Sequence, residues 1–248
     1  MTSFSALVLA GSRPGGDPLA LHAGVSAKAL ITIGNEPMLA RVVATLKEAG
    51  ASPIAVAASD PDVIALARSL GCGIVRAEAG PSESAAAGFR ALGAPMLLTT
   101  ADHALLRPDW IRQFIADQAP DTDVGALLAR RETIEQDVPE TRRTYLRFAD
   151  GAWSGCNLFF LATPAAAAAL QLWHLVEADR KRPWRIVGKL GPLLLLRYLL
   201  GRLTLKEAFA HLGKRANLKA QAIESPFGLA AVDVDKVDDL TLVRKLVA

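Results

Sequence analysis

The chain has 248 residues, 51% of them hydrophobic, with a formal charge of +3 and a pI near 9.0. That composition excludes intrinsic disorder and suits one large α/β domain with an elaborated insertion. The mild basicity suits an anionic small-molecule substrate and falls short of what nucleic-acid binding would need.

Cys72 and Cys156 are the only cysteines and stand in no metal or redox spacing, as expected of a reduced cytoplasmic protein. The first residues run straight into a strand, with no basic region and cleavage site, so no signal peptide is expected. No apolar run reaches the roughly 18 residues of a membrane-spanning helix.

In chain order, Leu7–Leu9 forms a short apolar strand that opens into Gly11, Ser12, Arg13, Pro14, Gly15 and Gly16, with Lys28 after a longer loop. Small residues let backbone N–H groups approach phosphate oxygens, and Arg13 and Lys28 supply the neutralising charge. The loop lacks the Gly-Lys-Ser/Thr of a P-loop and does not fit the G-x-G-x-x-G frame. The plainer reading is an ordinary strand-to-helix turn.

Helices are expected at Met38–Ala49, Asp60–Leu70 and Ser82–Leu92, and strands at Ile54–Ala57, Ile74–Arg76 and Pro95–Thr99. Apolar strands alternating with capped helices imply a parallel sheet covered on both faces, with ligands at the carboxyl ends of its strands. Further on, Pro108–Ala119 predicts a helix and Val124–Ala129 a strand, followed by a polar stretch at 130–147. Gly155–Leu161 is expected as a strand and Pro164–Glu177 as a helix. Residues 180–222 are expected as helices, Ala230–Val234 as the last strand and Asp238–Leu246 as the closing helix. One domain over 1–248 with a basic helical insertion at about 164–222 follows.

Asp102 ends a buried strand beside the phosphate loop, a place suited to holding Mg²⁺, which takes one or two carboxylates plus substrate phosphates. Asp233 and Asp235 end another apolar run, Gly228–Val232, and strand alternation would put both on one face. Either cluster could instead cap a helix.

Leu-Ala-Gly-Ser-Arg, then Ala-Lys-Ala-Leu, then residues 33–43 from Ile-Gly-Asn-Glu-Pro-Met to Val-Val resemble the opening of a known superfamily. It comprises the molybdenum-cofactor guanylyltransferase-like and sugar-phosphate nucleotidyltransferases. Gly80-Pro81-Ser82-Glu83-Ser84 resembles its base-contacting segment, and the run from Asp233 to Leu240 its terminal acidic element. The likeness covers the first ~110 and last ~20 residues, with four motifs in family order. It implies a mostly parallel, Rossmann-like sheet of the glycosyltransferase-A type. It departs from the pattern in its long Arg13–Lys28 loop, in Ala27 before the lysine and in Asn35-Glu36 before Pro37. Asp102-His103 matches inositol-phosphate cytidylyltransferase-like members, which leaves base and acceptor open.

The resemblance implies nucleotidyl transfer from an NTP to a phosphorylated small-molecule or lipid-linked acceptor, with release of pyrophosphate. Arg13, Lys28 and Asp102 would be catalytic. Leu9, Ala10, Gly11, Ser12, Gly80 and Ser84 would bind nucleotide, and Asp102 with Asp235 would hold Mg²⁺. Asn157 is a candidate acceptor contact or a strand-entry turn residue. A nucleotide-sugar glycosyltransferase on the same sheet is the alternative enzyme, although such enzymes carry an Asp-x-Asp where Asp102 stands alone. A non-catalytic nucleotide-binding regulator is the alternative outside enzymes. Residues 180–206 interleave basic residues with Trp184 and leucines. They read as a helical subdomain with a solvated basic face, as a peripheral membrane helix, or as an acceptor lid. His174 and His211 are expected to be structural.

Overall fold

The computed structural model describes residues 3–12, 15–178 and 191–247. Its main sheet contains β1 (Phe4–Leu9), β4 (Ala51–Ala58), β5 (Gly73–Arg76), β6 (Met96–Thr100), β7 (Val124–Arg130), β8 (Leu146–Phe148), β9 (Gly151–Leu161) and β10 (Ala220–Ser225). The order is β10-β7-β9-β6-β1-β4-β5, with β8 on β9. β9 runs antiparallel to β6, β7 and β8, and the other pairings are parallel. A small hairpin of β2 (Thr32–Ile33) and β3 (Glu36–Pro37) stands apart.

The central strands alternate between two cores. Ala6 and Val8 of β1 face α2 (Met38–Glu48) and α5 (Pro108–Ala116) through Leu39, Leu46, Trp110 and Phe114. Leu7 faces the other way, with Phe89 of α4 (Pro81–Leu92), Leu98, and Leu170 of α7 (Ala167–Ala178). Both faces of β1 are buried, and from Ala6 to Leu9 it is apolar at every position. Proline at the first helical position and a preceding cap start α3 (Pro61–Ser69), where Asp60 accepts from Asp62 and Val63 N–H.

Among the described residues the remaining α-helices are α1 (Pro18–His22), α6 (Arg131–Asp137), α8 (Pro192–Leu199), α9 (Leu205–Arg215) and α10 (Val237–Val247). α6 and β8 occupy the stretch that sequence marks only as polar. Two expectations fail near the end of the chain. Residues 220–222, expected as helix, begin strand β10, whose register on β7 runs from Ala220 to Ser225. The expected last strand at 230–234 is instead a 3₁₀ turn, Gly228–Ala231, and an extended run. Its apolar residues are buried by wedging against α6, not by pairing. A Cβ at Gly228 would lie 2.4 Å from the Thr133 carbonyl oxygen. Helix 180–190 of the sequence reading lies outside the described residues. Among the described residues no helix is long and apolar enough to cross a membrane.

Candidate active site

Because β1, β4, β5 and β6 are parallel, the loops that follow them share one sheet edge. Backbone bonds tie these loops together. Ala101 N–H donates to the Leu9 carbonyl at 3.0 Å, and Ala10 N–H to that of Ala57 at 2.9 Å. A Cβ at Gly11 would lie 3.7 Å from Ala77 Cβ, so the glycine loop abuts the segment leading to Gly80. Gly11 and Ser12 are exposed there, and Arg13 lies outside the described residues.

Lys28 starts a 3₁₀ turn, Lys28–Leu30, anchored by the buried Ala27 and Ala29. Its Nζ lies 2.5 Å from Asp102 Oδ2 and 2.8 Å from Asp235 Oδ1. The Thr100 hydroxyl donates to the other oxygen of Asp102, and Val234 N–H donates to the Asp102 carbonyl at 3.1 Å. That backbone bond is what brings the C-terminal acidic run to β6. Burial pulls the Lys28 ammonium down, but the two carboxylates outweigh it and hold it above the ordinary lysine value. Lys28 is therefore a fixed cation at neutral pH.

Asp233 goes elsewhere. It is buried, accepts from the Arg143 guanidinium, and accepts from Asn157 Nδ2 at 2.5 Å. Burial pushes its carboxyl up against the pull of Arg143. The expectation that Asp233 and Asp235 act from one strand face is thus corrected: no strand forms there, and the two carboxylates have different partners. Asn157 sits at φ 49°, a left-handed conformation inside β9, where the register with β7 shifts between Ala126 and Leu128. The bulge turns its amide toward Asp233. Arg143 escapes sequence reading because it lies in an unpatterned charged stretch. His103 is enclosed beside the Ala230 carbonyl, and burial pushes it down to about 4, so it is neutral near pH 7.

Gly80 precedes α4, and Ser84 accepts from Glu78 N–H and donates to the Gly80 carbonyl, both at 2.9 Å. Ser84 is thereby buried and holds the turn. Glu177 of α7 accepts from Ser82 N–H at 3.1 Å, and a Cβ at Gly80 would lie 3.0 Å from its carboxylate. Helix α7 thus caps the start of α4, a role no sequence spacing announces. His174 reaches the Ser82 hydroxyl at 3.3 Å.

Asp102 and Asp235 converge on one cationic point, now the Lys28 ammonium. Two carboxylates are the protein share of ligands that Mg²⁺ takes when substrate phosphates complete its shell, so this donor set fits that ion. Among the described residues no group of three or more His, Cys, Asp or Glu forms a fuller metal cage.

The description of a MobA-like NTP transferase domain matches residues 6–203. A hypothetical transferase from Thermus thermophilus is 30% identical over 96% of this chain and 100% of its own, with a TM-score of 0.82. Two more distant structures share the fold: a CMP:2-keto-3-deoxy-manno-octonic acid synthetase complexed with CTP and a nucleotidyl transferase from Methanothermobacter. The first is 15% identical over 99% of this chain and 98% of its own, with a TM-score of 0.59. The second is 16% identical over 100% and 98%, with a TM-score of 0.58. No curated protein sequence matches. Fold and family together define a nucleotidyltransferase-superfamily enzyme. The chain belongs to the MobA-like NTP transferase domain family.

Proposed function

We propose that the protein transfers an NMP group from an NTP to the phosphate of a small or lipid-linked acceptor. An acceptor phosphate oxygen attacks the α-phosphorus in line, its bond to phosphorus forms as the bond to the β-phosphate bridge breaks, and pyrophosphate leaves with the electron pair. Positioning and charge neutralisation supply most of the rate. Leu9, Ala10, Gly11 and Ser12 present backbone to the nucleotide, and Gly80 and Ser84 shape the base side. Arg13 holds the β- and γ-phosphates, and Lys28 neutralises charge growing at the α-phosphate. Asp102 and Asp235 would hold Mg²⁺, which would supply charge withdrawal from the substrate phosphates. Asn157, pinned by Asp233, faces the acceptor. A cytoplasmic setting supplies the NTP.

The observation that carries this reading is the junction of Lys28, Asp102 and Asp235 at the loop edge of the sheet. The test is pyrophosphate release from each of the four NTPs against a panel of sugar, polyol and lipid phosphates with Mg²⁺. Release that depends on one base and one acceptor class establishes the activity and its specificity. No release with any pair, from a protein that binds NTP, overturns it in favour of a binding regulator.

A further inference from the structure

The Lys28 ammonium lies between two carboxylates that come from distant parts of the chain. Its Nζ is 2.5 Å from Asp102 Oδ2 and 2.8 Å from Asp235 Oδ1. Mg²⁺ sits about 2.0–2.1 Å from the oxygens that ligate it. An ion bridging these two oxygens would therefore take nearly the place that the ammonium holds. The two cations exclude each other there, because like charges so close repel strongly in a partly enclosed site.

The carboxylates are tied down. The Thr100 hydroxyl holds the other oxygen of Asp102, whose side chain is 13% exposed. Val234 N–H donates to the Asp102 carbonyl at 3.1 Å, and Asp235 N–H and Lys236 N–H donate to Asp239 Oδ2 at 3.1 and 2.9 Å. The Lys28 backbone is fixed as well: Leu30 N–H donates to the Ala27 carbonyl at 3.0 Å and Ile31 N–H to the Lys28 carbonyl at 3.1 Å. What can adjust is the four-carbon stem of Lys28, which carries a point charge with three donors.

A second partner for that charge belongs at the same edge. Ala101 N–H donates to the Leu9 carbonyl at 3.0 Å, which sets the glycine loop after β1 against the end of β6. A polyphosphate on that loop would offer oxygens to the ammonium, and lysine binds phosphate as a point charge. An ammonium drawn there releases both carboxylates. Without a polyphosphate the two carboxylates more than offset the burial of Lys28, so a free divalent ion must displace a well-held cation.

We propose that Lys28 reserves the Asp102–Asp235 pair, so that a divalent cation enters only with a polyphosphate that draws the ammonium away. Metal and nucleotide then bind with positive coupling. Reservation of the pair rests on the transferase reading, in which Asp102 and Asp235 hold Mg²⁺.

The experiment is titration of Mn²⁺, a paramagnetic stand-in for Mg²⁺, into the full chain without nucleotide, with the free ion read by electron paramagnetic resonance. Lys28→Met keeps the stem and removes the charge, and it should bind Mn²⁺ at least about tenfold more tightly than the parent. Lys28→Arg keeps the charge and should bind as weakly as the parent. Adding Asp102→Asn to Lys28→Met should abolish the gain. Thermal melts give the same comparison for a variant whose fold is weakened: about 5 mM Mg²⁺ should raise the Tm of Lys28→Met and not that of the parent, with NaCl at equal ionic strength as the control. Equal Mn²⁺ affinity in the parent and Lys28→Met would overturn the proposal. A gain that survives Asp102→Asn would place the ion elsewhere and overturn it too. Because metal binding is read without turnover, absent pyrophosphate release alongside the expected Mn²⁺ pattern would refute the transferase reading and leave the reservation standing.

Discussion

Lys28 and Asp102, 74 positions apart in the chain, meet at 2.5 Å at the end of β6. The contact exists because β1 and β6 are adjacent and parallel, so the loops after them face each other. Asp102→Asn keeps the shape and the Thr100 contact and removes the charge. It should lower kcat by about a thousandfold, since one ligand carboxylate is worth several kcal/mol of transition-state stabilisation. Pyrophosphate release at saturating Mg²⁺ measures it, and near-normal turnover refutes the metal assignment.

Lys28→Ala separates the roles of the two cations. Charge at the α-phosphate grows in the transition state, so kcat should fall more than KM for NTP rises. Arg13→Ala, at a phosphate that binds equally in ground and transition states, should mainly raise KM. Steady-state kinetics with the reverse pattern would interchange the two residues.

The first half of the fold was legible because each element there announces itself. Pro61 and Pro81 mark helix starts, and Ala6–Leu9, Ile54–Ala58 and Met96–Leu98 are apolar runs. The approach of Lys28 to Asp102 follows from strand direction, since β1 and β6 are parallel neighbours, whereas Asp235 arrives through the Val234–Asp102 backbone bond and not on a strand. Arg143 was not legible, because nothing local distinguishes it from the other arginines near it, and its role appears only when the chain brings Asp233 back 90 positions later. The run Gly228–Val232 misled for a related reason. Apolar residues are buried in a strand or in a wedge alike, and periodicity over five residues cannot separate the two.

Gly228 makes that wedge possible. Its N–H donates to Asp137 Oδ2 at 2.7 Å, and a Cβ would meet the Thr133 carbonyl oxygen at 2.4 Å. Both partners belong to α6, so the backbone must move. Gly228→Ala should destabilise by about 1–3 kcal/mol through overpacking. It should also lower turnover, because the same turn sets Asp233 and Asp235. Urea unfolding and pyrophosphate release measure the two effects, and unchanged stability would show that the turn relaxes freely.

Glu207 gives a pH signature. The Thr204 N–H, and after it the Arg197 guanidinium, push the exposed Glu207 carboxyl down to about 2. A carboxyl depressed in the folded state stabilises above its unfolded value of about 4.3 and loses that contribution as pH falls toward the folded value. Glu207→Gln should therefore be less stable than the parent at pH 7 and converge with it near pH 2. Parallel thermal scans across that range test this, and a constant gap would show that the capping box of α9 does not titrate.

The buried pair Arg143–Asp233 should be the most sensitive to removal of one partner. Both side chains are nearly enclosed, at 13% and 10% exposure, and Asn157 supplies a further hydrogen bond to the same carboxylate. Arg143→Met leaves that carboxylate without its counter-charge and should cost about 3–5 kcal/mol. Adding Asp233→Asn removes the stranded charge, so the double variant should be more stable than Arg143→Met alone. The sign of that difference separates an electrostatic from a packing role, since packing alone would make the second substitution additive. Chemical denaturation of the parent, both single variants and the double variant completes the cycle. A cost below about 1 kcal/mol for Arg143→Met would place the pair among weak surface contacts. It would also remove the reason that Asp233, and with it Asp235 two residues on, is held in place.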